Sequence, residues 1–241
     1  MRVLKSRFWL TIAAVFAALL WAAPASAYVV YTLDNGGSAF SGTNFGTVRL
    51  DQISPTDVRI TVTLAPGEYF AGTGAGFALT WDIAKVSSPC SVASPCKDPQ
   101  ISFGTMPTGF AAMPYVAPTA QNPNPETYKA SPFGDFNYAV DCTACQGGQT
   151  SNPSGPLVFD ITLSSGLLIG NLITPSDFSQ NAGGTLFAVD IYKPGCGSGA
   201  CTGVVGTNGN NHVFVPEPTT SLVFGAGLIA LAGLRRRKKT S

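Results

Sequence analysis

Val58-Arg59-Ile60-Thr61-Val62-Thr63-Leu64 alternates at every position: Val58, Ile60, Val62 and Leu64 fall on one face of an extended chain, and Arg59, Thr61 and Thr63 on the other. At the helical turn of about 100° per residue the same residues would scatter around the axis, so period two marks a half-buried strand. Phe77–Lys85 (FALTWDIAK) repeats the pattern, with Phe77, Leu79, Trp81 and Ile83 together and Thr80 and Asp82 opposite. Working outward, strand-like runs recur at Tyr28–Leu33, Gly46–Leu50, Phe136–Val140, Leu157–Leu163, Leu167–Ile173 and Leu186–Tyr192. Each is rich in β-branched and aromatic residues and bounded by Gly, Pro, Asn or Ser. The one helical signal between them is a single turn at Thr174–Phe178, where Thr174 would cap and Pro175 would take the first position. Eight or more short strands with one polar face each predict an all-β chain, an antiparallel β-sandwich of jelly-roll type.

One stretch breaks the rhythm. Between Gly104 and Pro132 stand Pro107, Pro114, Pro118, Pro123, Pro125 and Pro132. Proline cannot donate to a ladder, so this reads as a long Pro-rich loop or an edge excursion. Its Phe110, Met113, Tyr115 and Tyr128 either contact a ligand or tuck against the sandwich as a cover, and covering is the simpler role.

The ends of the chain are of another kind. Arg2, Lys5 and Arg7 precede an apolar run, Phe8–Ala23, and Pro24 precedes Ala25-Ser26-Ala27. That is a secretory signal peptide over residues 1–27, with cleavage expected between Ala27 and Tyr28. At the other end, Val215-Pro216-Glu217-Pro218 is an extended tetrapeptide, because its prolines forbid a continuous helix. It is followed by Ser221–Leu234 (SLVFGAGLIALAGL) and by Arg235-Arg236-Arg237-Lys238-Lys239. Fourteen apolar residues span roughly 21 Å as a helix against a hydrocarbon core of ~30 Å, enough for transient anchoring in the inner membrane with the basic cluster snorkelling on the cytoplasmic side. The chain is thus expected to divide into residues 1–27, an exported domain over 28–214, and a tail over 215–241.

Motif, apolar run and terminal basic cluster, in that order, resemble the PEP-CTERM sorting signal. The resemblance implies an exported protein processed by exosortase, a membrane transpeptidase-like enzyme, and assigns the sorting role to Val215, Pro216, Glu217 and Pro218. The runs FGDFNYAVDCTACQGG, GPLVFDITLSSGL and LFAVDIY also look like sequences in exported proteins of this kind from polysaccharide-producing bacteria. This adds a β-rich body and an association with extracellular polysaccharide, but no activity.

The net charge of +1 belongs to the ends, which hold 8 of the 14 cationic residues. Between Tyr28 and Val215 there are 6 Lys/Arg and 12 Asp/Glu, a formal charge of −6. An acidic, charge-poor body lacks the basic patch a nucleic-acid partner requires.

Six cysteines lie in three close pairs, Cys90 and Cys96, Cys142 and Cys145, Cys196 and Cys201. In an exported chain an even count reads as disulfides, and proximity favours the three local bridges over the other connectivities. Two other chemistries fit the cysteines less well. Cys142-x-x-Cys145 has redox spacing, but it follows a strand and precedes Gln146-Gly147-Gly148 instead of opening a helix. Zinc would need matched dithiol spacings, and the three here differ.

No catalytic constellation stands out. His212, the sole histidine, lies in GTNGNNHVFV and reads as a solvated residue on a terminal strand or linker. Asp82, Asp160 and Asp190 share the settings WDI, FDI and VDI, each opposite its strand's large apolar residues. They read as outward-facing solubilising carboxylates; the competing idea is that they converge on one sheet face to bind a cation or sugar, or to hydrolyse a glycoside. The expectation is a non-catalytic surface or matrix protein with no cofactor and no metal. The alternative is a carbohydrate-binding module stacking sugars on Trp81 or the loop aromatics.

Overall fold

The computed structural model describes residues 28–54, 56–73, 77–81, 83, 101–113, 128–136, 138–145, 147–163, 184–195 and 201–215. At its centre is β3 (Asp57–Leu64), whose Val58, Ile60 and Val62 are fully buried while Arg59 and Thr63 are exposed. β2 (Gly46–Gln52) pairs on one side, setting Val48 opposite Val62 and Leu50 opposite Ile60. β11 (Leu157–Leu163) pairs on the other, with Phe159 opposite Ile60 and Ile161 opposite Val58. β1 (Tyr28–Asn35) extends the row beyond β2, placing Val29 by Leu50 and Tyr31 by Val48, and β6 (Ile101–Phe103) closes the far edge on β11. All these pairs are antiparallel, so period-two residues stack in register and every inward side chain meets another.

The sheet continues past β1 through β13 (Cys201–Val215), β12 (Phe187–Lys193), β5 (Leu79–Trp81), β10 (Tyr138–Asp141) and β7 (Ala111–Met113). β4 (Tyr69–Phe70) pairs with β12 beside this path. The two layers expected of a sandwich are therefore two halves of one continuous sheet. Aromatics from opposite halves meet inside: the Trp81 ring centroid of β5 lies 6.0 Å from Phe103 of β6 and 5.8 Å from Phe159 of β11. Tyr138 stacks on Trp81 at 5.8 Å, and Tyr31 meets Phe187 at 5.3 Å. The chain is all-β and antiparallel, as its periodicity requires; the described strands run as one path and do not by themselves draw a jelly roll.

Three local expectations change. The Pro-rich stretch is not one uninterrupted loop, since β7 pairs with β10, and β8 (Tyr128–Lys129) forms a hairpin with β9 (Asp135–Phe136). The run Phe136–Val140 divides between β9 and β10. Among the described residues of Phe77–Lys85, only the three of β5 are strand. Of the two settings expected for His212, a terminal strand or a linker, the structure gives the strand: the Gly/Asn-rich segment belongs to β13, the longest strand described, whose Cys201–Gly206 pair with β12. Leu167–Ile173, the turn at Thr174–Phe178 and residues 114–127 lie outside the described residues.

That second layer is the β8–β9 hairpin. Ala130, Phe133 and Phe136 pack on Ala188, on the face of β12 turned away from the main core, with Val204 alongside. The Tyr128 ring meets Phe77 edge-on at 5.1 Å, as a cover would. β12 is consequently buried on both faces from Phe187 to Ile191.

Candidate functional site

β4 and β5 lie along the same edge of β12, opposite Ile191–Tyr192 and Phe187–Ala188 respectively. Asp190 of β12 lies between these two pairings, facing the loop that leaves β4 through Ala71–Thr73. Its backbone is bracketed: Ala71 N–H donates to its carbonyl, and its own N–H donates to Phe77 O, both at 3.0 Å. Thr73 donates twice to Oδ2, from the backbone N–H at 2.8 Å and from Oγ1 at 2.7 Å. Oδ1 is buried and has no hydrogen-bond partner among the described residues. Asp190 is thus not the outward-facing carboxylate expected from VDI; it is fully buried because the hairpin and this loop cover its side of the strand. Burial pushes its pKa up, and the two Thr73 bonds pull it only partly back.

Asp160 behaves as the sequence suggests. It sits on the outer face of β11 opposite Arg59, which grips it through Nε at 2.8 Å and Nη2 at 3.0 Å. The pairing raises the guanidinium's pKa further, through the hydrogen bond first and the charge second. The outer face carries a second pair, Arg49 on Asp51, with the Arg49 guanidinium 4.0 Å above the Tyr28 ring. On β3 and its partner, hydrogen bonds from Ser54 and then Thr162 hold Asp57 below the ordinary carboxylate value. Asp160 and Asp190 do not converge: one faces solvent, while the other is covered in the opposite half of the sheet. Asp82 lies outside the described residues.

Sequence reasoning missed Glu68. It is almost wholly buried beside β4 and bonds Lys193 Nζ at 3.0 Å, while its Oε2 has no partner among the described residues. Burial raises its pKa against the opposing pull of Lys193. No spacing announces this pair, because 125 residues separate its members. Nearby, Ala39–Ser41 and Lys193–Gly195 line a recess of about 240 Å³. That is below the ~300–1,000 Å³ of ligand pockets. Among the described residues there is no group of three His, Cys, Asp or Glu side chains placed to hold a metal ion.

Trp81 is fully buried within its aromatic cluster and presents no face to a sugar. Phe110 meets Phe70 edge-on at 5.3 Å, Met113 is half-buried in β7, and Tyr115 lies outside the described residues. Cys142 and Cys145 form a disulfide across a turn with a Cα–Cα distance of 5.3 Å. The Cys145 N–H donates back to Cys142 O, the Ala144 N–H reaches Gly109 O, and a Cβ on Gly72 would stand 3.3 Å from Cys145 Cβ, so the turn is pressed on its neighbours. Cys201 is half-exposed at the start of β13; Cys90, Cys96 and Cys196 lie outside the described residues.

The remaining feature is where the body ends. β13 keeps strand geometry to Val215, with Val213 63% exposed, and Pro216 follows at once. A proline has no N–H to continue the ladder, so the strand stops where the sorting tetrapeptide starts. Such a motif, presented at the end of a folded β body, defines an exported substrate with a C-terminal membrane-anchoring sorting signal. Residues 214–238 match the PEP-CTERM protein-sorting motif, and the chain is a PEP-CTERM domain-containing protein, an exosortase substrate. No match comes from curated proteins or from solved structures. The segment Ser221–Leu234 lies outside the described residues, among which no helix is long and apolar enough to cross a membrane.

Proposed function

We propose that this protein is a non-catalytic component of the cell surface or extracellular polysaccharide layer, delivered as a rigid acidic β body after removal of residues 1–27 and the tail beyond the Pro-Glu-Pro region. The observation that carries the reading is the match of residues 214–238 to the sorting motif, which begins in the last two residues of β13. The packing of the chemistry-bearing side chains supports it: Asp160 is engaged by Arg59, and Asp190 and Trp81 are enclosed. Val215, Pro216, Glu217 and Pro218 are the residues the processing enzyme would grip, and the body's contacts would be with polysaccharide. The three local disulfides belong to the same reading.

Intact mass of the exported protein from a host with exosortase tests the processing: the mature chain should begin near Tyr28 and lack Arg235–Lys239. An intact basic terminus would refute it. A glycan array with the mature protein, run with and without calcium, tests the structural role. Saturable binding to one defined sugar would replace it with a carbohydrate-binding role, and Tyr115 is the first aromatic to mutate in that event.

A further inference from the structure

The chain contains two Asn-Gly steps, Asn35-Gly36 and Asn208-Gly209, and the fold brings them together. β1 and β13 are neighbours in the sheet, and the Asn208 N–H donates to Asp34 Oδ1 at 2.8 Å. They meet where the half of the sheet running from β6 to β1 passes into the half running from β13 to β7. Asn-Gly is the step at which a chain most readily attacks itself. Glycine has no Cβ to shield its nitrogen, which can close a five-membered ring on the asparagine carboxamide. By sequence the two steps are equal; the structure makes them different.

Asn35 ends β1 and is exposed. Its Oδ1 accepts the N–H of Gly37, two residues on, at 3.0 Å. That bond draws the carboxamide back over the Gly36 peptide, which lies between the two bonded groups. It also sets a donor on the oxygen that turns negative when the carbon is attacked, as in an oxyanion hole. The backbone turns here, with the N–H groups of Ala39 and Phe40 donating to Gly36 O and Gly37 at a φ of 58°. Asn208 is held otherwise. Thr207 before it accepts the Leu186 and Phe187 N–H groups, its own N–H is taken by Asp34, and the strand runs on to Val215. Extended backbone carries the next peptide nitrogen away from the side chain, and these bonds resist the rotation that would bring it round.

We propose that Asn35 is a site of spontaneous deamidation that loosens the joint between β1 and β13, and that Asn208 is spared. The Gly36 nitrogen loses its proton to solvent and bonds to Asn35 Cγ; the Cγ–Nδ2 bond breaks, ammonia leaves and a succinimide closes. Water then opens the ring at either carbonyl, giving an aspartyl or an isoaspartyl residue. No oxidant or enzyme is needed. The isoaspartyl product routes the main chain through Cβ, one atom longer, and either product sets a new carboxylate beside Asp34. The turn has no room for the extra atom. A Cβ on Gly37 would stand 3.0 Å from Pro132 Cδ and 3.3 Å from Val204 O, and one on Gly203 would come within 2.5 Å of Ala39 Cβ. The lengthened turn is therefore pushed off β13, and the Asp34–Asn208 bond weakens with it.

The test ages the exported protein at neutral pH and follows its tryptic peptides by mass; cleavage at Arg49 and Lys129 puts the two steps in separate peptides. Exchange of ammonia for water adds about one dalton. The Asn35 peptide should gain it at least about tenfold faster than the Asn208 peptide, and faster as the pH rises, because the attacking amide must lose its proton. In urea the two rates should converge. Equal rates in the folded protein, or an Asn35 that reacts only in urea, overturn the proposal. The second readout is hydrogen exchange at Cys201–Asn208 in the aged form, separated from the fresh one by charge. Exchange there should accelerate, and Asn35→Gln, whose longer side chain closes a ring far more slowly, should stay at the fresh rate. An aged form that exchanges like the fresh one, or an Asn35→Gln protein that loosens equally with age, overturns the effect on the joint.

Discussion

Asp190 holds one carboxylate oxygen against Thr73 and leaves the other buried with no partner among the described residues, an arrangement whose cost depends on pH. Its pKa is raised above the ordinary 3.8, and that of Glu68 above 4.5, burial being the first cause in both. A raised folded pKa means that the folded state binds the proton more tightly. The stabilisation is fully present below the unfolded value and is lost as the pH rises through the folded one. Asp57 acts in the opposite sense, its contribution fading as the pH falls, but it lies at the surface where solvent screens it. The exported protein should therefore lose stability as the pH climbs out of the acidic range, and Asp190→Asn should flatten that slope while keeping the Thr73 bonds. Asp190→Ala should cost about 1–3 kcal/mol, because the two half-buried donors of Thr73 lose their acceptor. Urea unfolding of the three proteins from pH 4 to 8 checks this; an unchanged slope in Asp190→Asn would exclude Asp190 as the source.

At the scale of elements, β12 decides how the molecule is layered, since both of its faces are covered and its neighbours must fit two cores at once. Opposite Ala188 the neighbour is Gly206, and a Cβ there would approach Phe133 to 2.9 Å and Thr185 to 3.0 Å. Gly206 is what lets the β8–β9 hairpin lie close. Gly206→Ala should force Phe133 outward at a cost of about 1–3 kcal/mol and open the hairpin to proteolysis near Lys129. Limited trypsin digestion compared with wild type reads this directly, and equal resistance would show that the hairpin is not held there. The Cys142–Cys145 turn belongs to this scale too. Its short loop is worth only about 2 kcal/mol on the chain-entropy model, and its larger effect is to keep the turn seated against Gly72 and Gly109.

For the molecule as a whole, Trp81 is a built-in reporter. The other two tryptophans, Trp9 and Trp21, lie within residues 1–27, so the mature body proposed above has Trp81 alone. Enclosed by Tyr138, Phe103 and Phe159, it should emit at short wavelength, resist acrylamide and shift red only on global unfolding. Addition of polysaccharide should leave that emission unchanged. Quenching by a sugar would mean that the core opens on binding, contrary to a structural role. With the basic tail removed as proposed, the body's formal charge of −6 should repel it from anionic surfaces.

The sequence by itself determined whatever depends on local pattern. Alternation at Val58–Leu64 and Leu157–Leu163 fixed which side chains face inward, since a strand has only two faces and a single register buries the apolar one. The C-terminal sorting motif was legible for a similar reason: its chemistry is linear and needs no partner from elsewhere in the fold. Only the tertiary structure decided what depends on a third partner. Asp160 and Asp190 occupy near-identical local sequences, yet one meets Arg59 in solvent and the other lies enclosed, because the β8–β9 hairpin covers one strand and not the other. β13 was hidden because glycine and asparagine have poor strand propensity, which packing between β1 and β12 overrides. That β1 and β13 are neighbours follows from strand order, a property of the whole sheet that no segment of the chain carries alone.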